Sequence, residues 1–516
     1  MKHIRVSWMT PALCALVIMH PFTATADVKL PALFSDHMVL QRDLSAPVWG
    51  WADAGEAVTV SIAGQSQSTK TAADGTWSIK LDKLKAGGPF TMVVKGNNAL
   101  TIQDVLVGEV WLGSGQSNMA LTVQNSQDPA KETASANFPK IRVFTVKRRE
   151  AVTPQKDCEG QWILCSPETA GRFSAAAYFF GRDLHQQLGV PVGLITAAVG
   201  ATPIEGWTSL PAQEGKKELK PVFRPWDEKL KVPYDDAAAQ AQYQTRMEAW
   251  KQAAATRKAE GKAAGDPPEK PVHPREHKSY PANLFNGMIA PIIPYAIRGA
   301  IWYQGENNAQ GEFSKLYATQ LPLLIQDWRE RWGQGDFPFA WVQLPNYIKV
   351  KGGIGAETDW AFMRESMLGC LSTVKNSGMA VTIDIGDPSQ IHPKDKVPVG
   401  QRLALWARAS VYGEKIPFSS PLPAGFKISG NEVTLSFTHT DGGLVARGGD
   451  LKGFVIAGAD KKWFPAEARI AGDQVVVSSA EVKAPVAARY AWADNPDCNL
   501  YNGAGLPASP FRTDTW

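Results

Sequence analysis

Residues Leu112 to Met119 read LGSGQSNM. Two serines, two glycines and two amide side chains follow an apolar run, so a strand gives way to a turn that presents the Ser117 hydroxyl between Gln116 and Asn118. A helix starting near Asn118 would aim its free N–H groups and positive dipole end at anything bound to Ser117. That suits an acyl-transfer nucleophile, because a negative oxygen develops beside it. The competing reading is a turn in which Ser117 merely caps the helix.

Three other islands end at comparable places. AAVGATPIEGW puts Gly200 after a strand, IWYQGENNA puts Gln304, Gly305, Glu306 and Asn307 after another, and DIGDPSQIHP puts His392 after a third. In an open parallel sheet, functional groups gather at the carboxyl ends of strands. One hydroxyl, one glycine N–H, one amide and one imidazole are the parts of a serine esterase. Histidine is scarce, with 8 in the chain. A lone histidine is usually structural; His392 is favoured because it follows a strand end and is held by Pro393.

The elements that must position these groups are α/β in pattern. DVLVGEVWLG, VPVGLITAAVG, AIRGAIWYQG, FAWVQLP and GMAVTIDIG read as buried strands. Ser174 caps a helix whose apolar face runs Ala177, Phe180, Leu184 and Leu188, closed by Gly189. Another helix carries Phe313, Tyr317, Leu321, Leu324, Trp328 and Trp332, and Pro322 should kink it. A last helix covers VGQRLALWARASVYG. Strands alternating with helices predict a core with a mostly parallel sheet. Residues 214–278 interrupt it with a Lys, Glu, Ala and Pro-rich insertion, helical over 234–261 with Tyr243, Met247 and Trp250 on one face, and suited to covering the site. Alternating strands occupy 27–103 and return over 419–516, so β-sandwich segments flank the 104–418 core at both ends.

The bulk numbers fit a globular protein: 516 residues, 44% hydrophobic and 20% charged. Residues 1–26 read as an export signal, with Lys2, His3 and Arg5 before the apolar stretch 11–19 and Ala24-Thr25-Ala26 as a small-x-small cleavage site. Export to the periplasm or beyond would take Lys2 and Arg5 away and leave 52 basic against 50 acidic side chains. So small a balance argues for neither nucleic acid nor an anionic membrane surface. Four cysteines would remain, with Cys158 and Cys165 the nearest pair for a disulfide. No Cys/His spacing suggests a metal, and no cofactor is called for. The 18 tryptophans suit a core and also stacking on sugar rings.

Several long motifs carry a resemblance. GQSNM, PANLFNGMIAPIIPYAIRGAIWYQGENNA and IHPKDKVPVGQRLALWA resemble the sialate O-acetylesterase family of SGNH hydrolases, as do LFSDHMVLQRDLSAPVWGWA and YAWADNPDCNLYNGAGLPASPFRTD. It covers the chain beyond residue 26 apart from the insertion. The resemblance implies an SGNH-type, flavodoxin-like three-layer core and a carbohydrate O-acetylesterase, acting on hemicellulose oligosaccharides such as xyloglucan or xylan, or on sialic acids. Ser117 would be the nucleophile and His392 the base. The N–H groups of Ser117 and Gly200 and the Gln304 amide would form the oxyanion hole, and Asn118 and Asn307 would contact substrate. Such families often place an acid three residues before the histidine; here that residue is Ser389. Glu306, Asp384 and Asp387 are the candidates for the third member, the alternative being a Ser–His dyad oriented by a backbone carbonyl. Ala201 stands where a second glycine is common, and needs a negative φ to sit comfortably.

Two other classes compete. A sugar-binding protein on an inactive esterase scaffold is motivated by the β segments and opposed by the presence of both Ser117 and His392. A lipase or peptidase is opposed by Met119, where an α/β-hydrolase nucleophile elbow needs glycine.

Overall fold

The computed structural model describes residues 1, 3, 27–262, 264, 265, 267–348 and 355–516. The expected export segment lies outside the described residues apart from Met1 and His3. Among the described residues, no helix is long and apolar enough to cross a membrane.

The central strand β1 (Ala99–Gly115) is 17 residues long. Its first part belongs to the N-terminal β region: Gly87–Lys95 pairs with it antiparallel, and Val39–Gln41 parallel. Its last residues lie in the middle of the core sheet, so the boundary expected at 103/104 falls inside one strand. The other core strands are β2 (Phe138–Thr145), β3 (Trp162–Cys165), β4 (Val192–Ala198), β5 (Gly299–Tyr303), β6 (Phe339–Val342) and β7 (Ser377–Ala380). Their order is β7-β6-β5-β1-β4-β2-β3, parallel except for β2 against β3.

Both faces of this sheet are covered, as alternation along its strands requires. Val110 and Leu112 of β1, with Ala300 and Trp302 of β5, pack in one core cluster. Trp111, Ile301 and Tyr303 pack in the other. The helices around the sheet and the insertion include α1 (Ser117–Ala120), α2 (Ala175–Leu188), α3 (Asp236–Ala259), α4 (Glu312–Trp332), α5 (Asp359–Thr373) and α6 (Val397–Ser410). α4 and α5 supply Leu321, Leu324, Trp328, Met363 and Met367 to the first face. α2 and α6 supply Phe180, Leu184, Leu403 and Trp406 to the second.

Local chemistry accounts for the helix ends. The Ser174 hydroxyl accepts from the Ala177 N–H, and Gly189 closes α2 at φ 67°. α4 runs through Pro322 as one continuous helix. Proline leaves the Ala318 carbonyl without its helical donor; the Cys370 thiol stands 3.9 Å from that oxygen. In the insertion, α3 starts where the Asp235 side chain accepts from Ala238, and Tyr243, Met247 and Trp250 are its half-buried stripe.

The C-terminal region has two four-stranded sheets, one built on Glu432–Thr438 and one on Phe454–Gly458, with a separate two-stranded ladder. All four described cysteines are free, so the pair nearest in sequence, Cys158 and Cys165, is not bridged. Their neighbours explain it. Cys158 packs in the cluster on one face of the sheet and Cys165 in the cluster on the other. Burial pushes the two thiols up to about 12 and about 11.

One buried charge cluster anchors β1 ahead of the site. Glu109 is wholly buried and accepts from Arg42 Nε at 2.5 Å, Arg298 Nε at 2.8 Å and Gln41 Nε2 at 3.1 Å. Glu109→Ala would strand Arg298 and leave Arg42 only Asp43, at 3.7 Å, and the expected loss is about 3–5 kcal/mol in denaturant unfolding. A loss below about 1 kcal/mol would show that β1 does not depend on this cluster.

Candidate active site

Strand register brings the islands together. Ala198 of β4 and Tyr303 of β5 both pair with Gly115 of β1. Three neighbouring strands therefore end side by side, and the chain just past them carries Ser117, Gly200 and Gln304. Gly115 makes the exit possible: its φ is 140°, and a Cβ there would stand 2.1 Å from the Tyr303 carbonyl oxygen. The Gln116 N–H then donates to that oxygen and the Val199 N–H to the Gly115 carbonyl. Gly200 lies against the serine; a Cβ on it would be 3.4 Å from the Ser117 Cβ. Among the described residues, the backbone N–H groups of Ser117 and Gly200 have no acceptor.

His392 lies in the loop between β7 and α6. Its Nε2 is 2.8 Å from the Ser117 Oγ, across 275 positions of sequence. The imidazole is exposed and Ser117 half-buried. This is the proton-transfer distance that a nucleophile and its base require.

The other expected groups are placed as follows. The Gln304 amide is wholly buried and turned into the scaffold: Nε2 donates to Asn308 Oδ1 at 2.8 Å and also faces Gln116 Oε1 and the Thr202 carbonyl, each at 3.2 Å. Its oxygen accepts from Tyr317 at 2.8 Å. The Asn307 N–H donates to Gln116 Oε1, and the residue is half-buried. Asn118 is wholly buried, so its amide serves the scaffold. Asp384 is clamped by Arg402 through two bonds of 2.7 and 2.8 Å. Asp387 closes a turn on Ser389, whose hydroxyl and N–H hold its carboxyl below the usual range. Glu306 accepts from Asn118 Nδ2 at 2.5 Å, and burial holds its carboxyl above the usual range. Ala201 does not have the expected negative φ. It is left-handed at 54°, because the Thr202 hydroxyl turns the chain back onto the Val199 carbonyl. That conformation costs a non-glycine residue about 1–2 kcal/mol.

Three supporting groups escaped the sequence reading. Glu205 is buried and joins Asn308 and Gln320 beneath the Gln304 segment. Lys278 donates to the Gly200 carbonyl at 3.2 Å and pairs with Glu269, tying the end of the insertion to the site. Lys396 is buried between Asn118 and the His392 loop. Its spacing of four from His392 was the only signal, and a solvated lysine gives the same one.

A family model described as carbohydrate esterase, sialic acid-specific acetylesterase, matches residues 107–257 and 277–407. The sialate O-acetylesterase of Rattus norvegicus is 32% identical over 536 residues, covering 94% of this chain and 94% of the relative. That of Homo sapiens is 30% identical over 541 residues, covering 96% and 94%. The crystal structure of a carbohydrate acetylesterase from Xanthomonas citri superposes with a TM-score of 0.80 at 36% identity, over 95% of this chain and 100% of that one. The family model spans the strand ends that carry Ser117, Gly200, Gln304 and His392, and its one gap falls within the insertion. The chain therefore belongs to the sialic acid-specific acetylesterase family of carbohydrate esterases, and it is an ester hydrolase.

Proposed function

We propose that this protein removes acetyl groups from acetylated carbohydrates through an acetyl-Ser117 intermediate. The observation that carries the reading is the 2.8 Å contact between the Ser117 Oγ and the His392 Nε2, beside two unengaged backbone N–H groups. Ser117 attacks the ester carbonyl as its proton passes to His392. The oxyanion is met by the N–H groups of Ser117 and Gly200. Collapse of the adduct expels the sugar alkoxide, which takes the proton from His392. Water then gives a proton to His392 and attacks the acetyl carbon, and return of that proton to Ser117 releases acetate. Gln304 braces the wall of the oxyanion site, Asn307 meets the sugar at the rim, and Glu306 acts on the His392 loop through Asn118. The exposed imidazole beside a half-buried hydroxyl leaves room for an ester on a bulky sugar or an oligosaccharide.

The SGNH-type core that takes over within β1 and runs to 418, the β-rich units before it and over 419–516, and action in the periplasm or outside the cell complete the reading. The basic-then-apolar start supports export.

Ser117→Ala is expected to lower kcat for acetate release at least about 10³-fold with unchanged thermal unfolding. Turnover at the wild-type rate would remove Ser117 from the reaction. Acetate release is also to be compared across acetylated xylan, acetylated xyloglucan oligosaccharides and 9-O-acetyl sialic acid. At least one should exceed 4-nitrophenyl acetate in kcat/KM. If none does, and long-chain esters are preferred, the sugar assignment is wrong.

A further inference from the structure

Lys396 is wholly buried, and no step of the reaction above uses it. Its Nζ donates to the Asn118 Oδ1 at 2.7 Å and to the Pro393 carbonyl at 2.7 Å. Asn118 donates in turn to the Ile391 carbonyl at 2.9 Å and to Glu306. These bonds join the residue after Ser117 to the residues on either side of His392. The histidine itself is exposed and follows β7, which lies at the edge of the sheet, three strands from β1. Burying an ammonium is costly unless its hydrogen bonds and a nearby opposite charge offset the lost hydration. Here Glu306 supplies the charge, and two carbonyl-type oxygens take the bonds.

We propose that Lys396 is a positioning residue, which straps the His392 loop to the start of α1 and so holds the imidazole at proton-transfer distance from Ser117. This rests on Ser117 and His392 being the reacting pair. A misplacement of about 1 Å costs on the order of 10²-fold in rate. The strap does not touch the sugar, so its loss falls on kcat and not on KM.

The test is Lys396→Met, close in length and without a donor. The expected result is a folded protein whose kcat for acetate release falls about 10²-fold with KM within about threefold, and whose labelling by a fluorophosphonate slows in parallel. Wild-type kcat, or a loss confined to KM, would overturn the proposal. Should the methionine variant not fold, Lys396→Gln, which can make one of the two bonds, takes its place under the same criteria. Failure of the underlying Ser–His reading would be visible separately, as wild-type enzyme left unlabelled at Ser117.

A second readout needs no activity. Burial pushes the Lys396 ammonium down to about 7; Glu306 and Asp395 pull it the other way, and the Tyr303 ring lies 5.1 Å from Nζ. Between that value and the ordinary lysine range the unfolded chain binds more protons at this position than the folded one. Stability conferred by Lys396 must therefore rise with pH through that window. The difference in Tm between wild type and Lys396→Met should shift in favour of wild type from pH 7 to pH 9. A difference that moves against wild type over that range would contradict the burial of the ammonium.

Discussion

The chain leaves the central strand at Gly115, in a space that a side chain would fill. The Tyr303 carbonyl stands where a Cβ would go, and the left-handed φ removes any other residue from consideration. Because Ala198 and Tyr303 sit in register with that glycine, the segments carrying Ser117, Gly200 and Gln304 emerge together. A one-residue slip in either pairing would turn every side chain to the opposite face and separate them. Sheet register therefore determines the distances in the site.

Around this convergence the molecule has an unusual number of buried polar groups. Glu205, Glu306, Asn118, Asn308, Gln304 and Lys396 are all buried within five residues of a group that faces the site. Each is costly to bury alone and acceptable only when its partners are in place. Such a network resists sliding, since moving one loop would strand several donors and acceptors at once. Asn118 and Lys396 of that network bond the carbonyls on either side of His392. The left-handed Ala201 is a further local cost accepted beside the site, as strain in such places often is.

The insertion has a different standing. α3 has no fully buried residue, so little packing ties it to the core. Its closing segment nevertheless reaches the Gly200 carbonyl through Lys278. That single bond couples a surface feature to the peptide beside the candidate oxyanion site.

Much of the fold was legible in the sequence, because its signals are local. Alternating and continuous apolar runs marked the core strands, Ser174 and Gly189 marked the ends of α2, and the stripe of Tyr243, Met247 and Trp250 marked the buried side of α3. Where local signals failed, a distant group had intervened. Cys158 and Cys165 are close in sequence, but Cys165 ends β3 in the cluster on one face of the sheet and Cys158 packs in the cluster on the other. Ala201 took the φ that its own type disfavours, because the turn after β4 demanded it.

For the site, the chain order supplied the candidates: a serine, a glycine and an amide each just past a strand, and a histidine in the longer loop after β7. The 2.8 Å between Ser117 and His392, the turning of Gln304 into the scaffold, the clamping of Asp384 by Arg402 and the burial of Lys396 belong to the tertiary structure alone. Residue type and short-range pattern follow from the chain itself. Which groups meet, and which are stripped of water and so change their proton affinity, depends on segments hundreds of residues apart being packed together.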